Sequence, residues 1–199
     1  DNYEYLSQEI GRAGSVNVNT FTRGLSLNRS DLSMDGLRMP AEINFIHNSA
    51  FSSFLEIYLD VLLDDEEDFE FPELYGNNWC PAYFQWIIEL TEGQYQFFTE
   101  EGTLVAFNQK EEKKVDEEGN ETDETIVVFE EDEGSDSGYT LELIDQERSV
   151  DYDNFKITTP DGREIYFYDA GFVSEIREAE PNADGSYDKI SIFYDEELP

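Results

Sequence analysis

The sequence predicts an all-β chain, an antiparallel meander of successive β-hairpins forming a curved open sheet or shell segment. A strand–turn–strand segment occurs twice, sixty positions apart, at Tyr95–Phe107 and Phe155–Phe167. Each copy alternates aromatic or β-branched residues with polar ones around an acidic residue and a Gly, the composition of a hairpin turn that needs positive φ. Thr99 matches Thr159, Gly102 matches Gly162, Val105 matches Ile165 and Phe107 matches Phe167, so turn position and side-chain class are preserved together. The 15 Phe and 12 Tyr among 199 residues supply enough apolar surface for one core and favour broad sheets over helices.

Residues 1–50 read as short strands at Val16–Val18, Leu25–Leu27 and Ala41–Phe45, the last entered through Pro40, which is tolerated where no ladder donor is required. From Phe51 to Leu63 the period changes. Phe51, Phe54, Leu55, Tyr58, Leu59 and Leu62 recur at helical spacing, and Ser53 with Glu56 has the capping-box pattern, so one short helix is expected near 53–63. The acidic run Asp64–Asp68 ends it, because negative charge is unfavourable at a helix C-terminus. Beyond Trp79, the runs Trp86–Leu90, Tyr95–Phe97 and Thr103–Phe107 make a three-stranded meander. Residues 109–124 are nearly all charged or small and are expected to form a long hairpin loop. Ile126–Phe129 resumes the sheet, a second acidic loop covers 130–138, and strands at 139–143, 155–159, 164–168, 172–176 and 189–194 continue one antiparallel sheet. Residues 1–150 are thus a leading β-rich module with acidic insertions at 109–124 and 130–138, and residues 151–199 add hairpins continuous with it as one structural unit.

The run Thr159-Pro-Asp-Gly162, Phe167, Gly171, Val173, Ile176 and then Ile190–Asp195 resembles the RHS or YD-repeat family. Upstream, Gly24–Leu27, Asp31-Leu32, Ile43–Phe45, His47–Ser49, Tyr75-Gly76 and Trp79 resemble the segment that introduces such repeats in bacterial RHS proteins. His47 stands where an aromatic such as Tyr is usual, Gly76-Asn-Asn-Trp79 replaces a Gly-x-Gly-Trp element, and YD dipeptides are few, Tyr168-Asp169 and Tyr194-Asp195 being the best. The resemblance implies a secreted or cell-surface bacterial protein whose hairpins wind into a large shell, often around a toxic C-terminal domain. Neighbouring repeats of the same polypeptide are then the expected partners.

Acidic residues number 48 against 12 basic, a net charge of -36. Residues 1–60 hold 8 acids and 4 bases, net -4, and residues 61–199 hold 40 and 8, net -32. Such a field repels phosphate backbones and anionic lipid, so nucleic-acid binding and membrane-surface binding are not expected, and with no stretch of about 18 apolar residues neither is membrane insertion. A single cysteine, Cys80, excludes an internal disulfide and cysteine-rich metal sites. The chain opens at Asp1 with neither an initiator Met nor a signal peptide, which predicts an excised or processed piece.

Catalysis finds little support in these residues. The only histidine, His47, lacks a nucleophile-elbow context around Ser49, Ser52 and Ser53 and is expected to cap a strand end, and Cys80 beside Trp79 and Pro81 reads as a small core residue. Glu89 and Glu142 lie in apolar strands, but alternation turns each outward, so no carboxylate pair is singled out for glycoside hydrolysis. No cofactor is expected. Calcium remains an option at the oxygen-rich loops, with Asp132, Glu133 and Asp136 as ligand candidates, although EF-hand spacing is absent. Trp79, Trp86, Tyr166 and Tyr168 could instead stack on sugar faces, and these residues would serve equally as core. The sequence therefore predicts a non-catalytic structural module of a secreted or cell-surface RHS-like protein, with an extracellular carbohydrate- or protein-binding module as the alternative.

Overall fold

The computed structural model describes residues 5–11, 14–19, 24–34, 41–49, 79–115, 119, 121–132 and 136–193. The expected helix near 53–63 lies outside the described residues. The chain is all-β and its strands follow one another as an open antiparallel meander, divided into three sheets rather than running as one. The first holds β1 (Tyr5–Glu9), β2 (Ser15–Asn19), β3 (Leu25–Met34), β4 (Ala41–Asn48) and β5 (Trp79–Pro81). The second holds β6 (Trp86–Thr91), β7 (Gln94–Phe98), β8 (Leu104–Val115) and β9 (Glu121–Glu131). The third holds β10 (Thr140–Leu143), β11 (Phe155–Thr158), β12 (Glu164–Phe167), β13 (Val173–Arg177) and β14 (Lys189–Ser191).

The second sheet is the middle layer. Ile87, Tyr95, Phe97, Val105 and Phe107 face the third sheet and pack on Leu141, Phe155, Ile157, Ile165, Phe167 and Val173. Trp86, Ile88 and Phe98 point the other way, onto Ile46 and Cys80 of the first sheet. A strand covered on both faces reads as an unbroken apolar run, which is why Trp86-Ile87-Ile88 loses the alternation of its neighbours.

Both recognised hairpins form, and the turn between their arms recurs twice more. Thr99–Gly102, Thr159–Gly162, Tyr168–Gly171 and Asn182–Gly185 share one scheme, in which the Gly N–H donates to the carbonyl of the first residue, at 2.9 Å in each case. The first residue in turn donates its N–H to the carbonyl of the residue after the Gly, at 2.6–3.0 Å. The glycines have φ of 73°, 90°, 80° and 83°, so each hairpin closes through a turn followed by a left-handed residue. Where Thr leads, its hydroxyl accepts the N–H four residues on, Thr103 onto Thr99 at 3.2 Å and Arg163 onto Thr159 at 2.9 Å.

The segment 109–124 is not a long loop. β8 and β9 pair from Phe107↔Glu131 out to Val115↔Glu121, so most of that segment is strand. Its charges alternate with short-range partners across the ladder: Lys110 with Glu130, Lys113 with Glu121 at 3.7 Å, and Lys114 with Glu124 at 2.8 Å. Opposite charges on facing strands stabilise pairing without apolar cover. Gln146 lies along the outer edge of β9, its amide oxygen accepting Val127 N–H at 2.9 Å and its amide nitrogen donating to Val127 C=O at 3.0 Å, in the place of a further strand.

Candidate functional site: the outer face of the first sheet

Cross-strand register assigns every side chain of the first sheet to one of two faces. Opposed residues share a face, so Leu6, Val18 and Leu25 form one row, and Val16, Leu27, His47 and Trp79 form the next. Arg29, Phe45 and Pro81 make a third row, and Leu32 with Ile43 a fourth. The opposite face carries Ser7, Asn17, Ser26 and Asn48 in one row and Asn28, Ile46 and Cys80 in another.

The sense of this amphipathic sheet is the reverse of the usual one. Its polar face is turned into the protein, where Asn17, Ser26, Asn48, Ile46 and Cys80 are all buried. None of the apolar-face residues is buried, and Leu6 is 65% exposed, Ile43 50%, Leu32 47% and Leu25 41%. The cause is the turn Thr99–Gly102 of the second sheet, which sits on the polar face backbone first. Ser26 Oγ donates to the Glu101 carbonyl at 2.8 Å, Asn48 Nδ2 to the Gly102 carbonyl at 2.7 Å, and Asn28 Nδ2 approaches the Glu100 carbonyl at 3.5 Å. A turn presents carbonyls, and buried carbonyls require donors. Asparagine and serine supply them, and Val16 and Val18 of β2, Leu25 and Leu27 of β3 and Ile43 of β4 face outward.

Trp79 lies at the edge of that outer face. Its ring meets His47 edge-on at 5.2 Å, and the Arg29 guanidinium stands 5.0 Å from its centroid and 5.6 Å from that of Phe45. Arg29 is paired with Asp31 of the same strand at 2.7 Å. The cluster is half-exposed and offers a cation, an imidazole and two aromatic rings on one surface. His47 lies within β4, one residue before its end, rather than beyond the strand as a cap.

The other aromatic candidates lie elsewhere, so the four form no common platform. Trp86 is 2% exposed and stacks on Phe98 at 4.2 Å, which makes it core. Tyr166 is on the outer face of the third sheet, with its hydroxyl donating to Glu164 at 2.8 Å and accepting from Arg177, whose guanidinium covers its ring at 4.3 Å. Tyr168 opens a hairpin turn and donates its hydroxyl to the Ile192 carbonyl at 2.9 Å. Hydroxyl groups and ring faces spent internally in this way are not free to take a sugar. The sequence missed Arg29 as a member of the Trp79 cluster, since fifty positions separate the two and only the β3–β4–β5 register joins them.

Of the calcium candidates, Asp132 accepts a hydrogen bond from Asn108 Nδ2 at 3.3 Å, Asp136 is exposed, and Glu133 lies outside the described residues. No group of three or more His, Cys, Asp or Glu is arranged to hold a metal among the described residues. Burial pushes the Cys80 thiol up to about 12, so it stays protonated at neutral pH, as suits a packed residue rather than a nucleophile. Glu89 accepts the Gly93 N–H at 2.7 Å, and Glu142 pairs with Lys156 at 3.0 Å on the outer face of the third sheet. All nine Lys and Arg of the described residues sit within 4.0 Å of a carboxylate. No helix among the described residues is long and apolar enough to cross a membrane. No family model, curated protein or solved structure matches this chain.

Proposed function

We propose that the chain is a non-catalytic structural module of a large secreted or cell-surface protein of the RHS-like type that its sequence resembles. In this reading it contributes β-hairpins to a shell of the kind that encloses a C-terminal toxin or meets another cell surface. One observation carries the proposal: the outward apolar face of the first sheet. Exposed apolar side chains aligned in rows, Leu6 with Leu25 and Leu32 with Ile43, suit a surface that packs on a neighbour. The third sheet supports the same reading by contrast, since its outer face is closed by the ion pairs Glu142–Lys156, Glu164–Arg177 and Glu175–Lys189. Packing is thus expected on one side and solvent on the other.

The half-exposed Trp79 beside His47 and Arg29 favours the second reading, a carbohydrate- or protein-binding module. Tryptophan fluorescence separates the two. Trp86 is buried against Phe98, so a ligand stacking on the protein would be reported by Trp79. Titration with a panel of bacterial and host polysaccharides is expected to leave the emission unchanged. A saturable shift abolished by Trp79→Ala would overturn the structural reading in favour of glycan binding. The complete open reading frame is expected to carry further hairpin repeats, and their absence would count equally against it.

A further inference from the structure

We infer that the outer face of the first sheet is a self-association surface, and that its occupant is the same face of a second copy of this chain. This inference rests on the structural-module reading and names the partner of the surface that carries it.

Charge selects the occupant. The chain carries a net charge of -36, and residues 1–60 contribute -4 of it, so the first sheet is the electrostatically quiet end of the molecule. On its outer face Arg29 pairs with Asp31 of the same strand at 2.7 Å, so the two charges cancel. The outer face of the third sheet and the β8–β9 hairpin instead interleave carboxylates with cations, Glu142, Glu164 and Glu175 with Lys156, Arg177 and Lys189 on one and Glu121, Glu124 and Glu130 with Lys113, Lys114 and Lys110 on the other. Residues 61–199 hold 40 acids and 8 bases, so approach through the first sheet keeps most of the acidic excess of the two copies apart. A cationic partner would find no complementary charge here.

Shape and area agree. An antiparallel face with apolar residues on five strands is the unit from which two-layer sandwiches are built, and two such faces related by a twofold axis pack with their strands within about 30° of each other. Five strands about 4.8 Å apart, with side-chain rows spanning roughly 20–25 Å along them, cover on the order of 500 Å² per copy. The total of about 1,000 Å² lies at the lower limit for a specific interface, so the pair is expected to be weak and concentration-dependent. Leu6, Leu25, Leu32 and Ile43 lose the most exposed surface in it.

Salt gives the interaction a signature. Repulsion between two strongly acidic copies acts over a distance that added salt shortens, from about 10 Å at 0.1 M to about 3 Å at 1 M, while apolar contact survives. The test is sedimentation velocity on the whole chain over a hundredfold range of concentration at low and high NaCl, with circular dichroism to confirm folding. A monomer–dimer equilibrium is expected that tightens as salt rises. Leu25→Glu and Ile43→Glu, both at exposed positions, are each expected to weaken it at least tenfold, while Phe193→Glu, 84% exposed and away from this face, leaves it unchanged. The inference is overturned if the chain stays monomeric throughout, whether the face then binds an apolar dye or is shielded from it by another part of the chain. It is also overturned if a dimer forms that both Glu variants leave intact. Absence of a dimer with no glycan binding to Trp79 would remove this inference alone; glycan binding would remove the structural reading beneath it.

Discussion

Two glycines with one backbone conformation have different neighbours. Gly102 and Gly162 each follow a Thr-led turn with φ of 73° and 90°, yet a Cβ on Gly102 would lie 2.2 Å from Ile46 Cγ2 and 2.5 Å from Ser26 Oγ, and one on Gly162 would meet nothing within 4 Å. Gly171 resembles Gly102, since a Cβ there would stand 2.4 Å from the Ile87 carbonyl oxygen. The left-handed conformation alone costs an L-residue about 1–2 kcal/mol, and overpacking adds about 1–3 kcal/mol. Gly162→Ala is therefore expected to lose about 1–2 kcal/mol, and Gly102→Ala and Gly171→Ala roughly 2–5 kcal/mol, in urea denaturation. Equal losses at all three would show that the turns are not docked as described. The sequence marks all three glycines as turn residues because φ is a local property. It is silent on which of them touch another sheet, because Ile46 and Ile87 reach those turns only through tertiary packing.

At the scale of elements, alternation is legible and its sense is not. Val16-Asn-Val18 and Leu25-Ser-Leu27 announce strands, but the period is the same whichever face is buried. The inward choice of the Asn and Ser face is made by the carbonyls of the turn at Glu100–Gly102. The charged arm of β8 is illegible for the opposite reason: its residues look like loop until Lys114 is seen opposite Glu124. The third sheet shows how such charges become structural. Glu164, 16% exposed at its side chain, pairs with Arg177 at 3.0 Å and Lys156 at 3.5 Å. Burial alone would raise its carboxyl, but the hydrogen bonds from Tyr166 and Arg177 and the charges of Lys156 and Arg177 outweigh it and hold the group below its ordinary value. A carboxylate depressed in the folded state adds stability that is complete above its unfolded value, about 4.3, and is lost as pH falls through the folded one. Glu164→Gln is thus expected to be less stable than the parent at neutral pH, with the gap closing below about pH 4. A gap that stayed constant from neutral to acid pH would show that the charge of Glu164 contributes nothing to the third sheet.

Across the whole molecule, three layers separate two kinds of outer surface. The charged ladder of the third sheet ends the molecule against solvent, and the apolar face of the first leaves it open. Between them the doubly buried Trp86–Ile88 segment binds the layers, and the tip of the 99–102 turn meets both neighbours, since Arg163 of the third sheet pairs with Glu100 at 2.6 Å. Burial opposes the charge on Arg163, but the hydrogen bond and charge of Glu100, reinforced by Asp161, prevail and raise its pKa further. The net charge of -36 already counts every Lys and Arg, so ions from solution are expected to screen it. Self-repulsion disfavours the compact state and falls as salt screens it, so the melting temperature is expected to rise between about 0.05 M and 0.5 M NaCl. Calcium distinguishes screening from binding. A site filled to a hundred times its dissociation constant would add about 2.7 kcal/mol, a shift of roughly 5–10 °C for a chain of this size. Calcium chloride at matched ionic strength is expected to superimpose on sodium chloride, because Asp132 is engaged by Asn108 and Asp136 stands in solvent. A shift of that size that disappeared in Asp132→Asn and Asp136→Asn would establish a bound ion at the 130–138 segment and make it part of what holds the second and third sheets together.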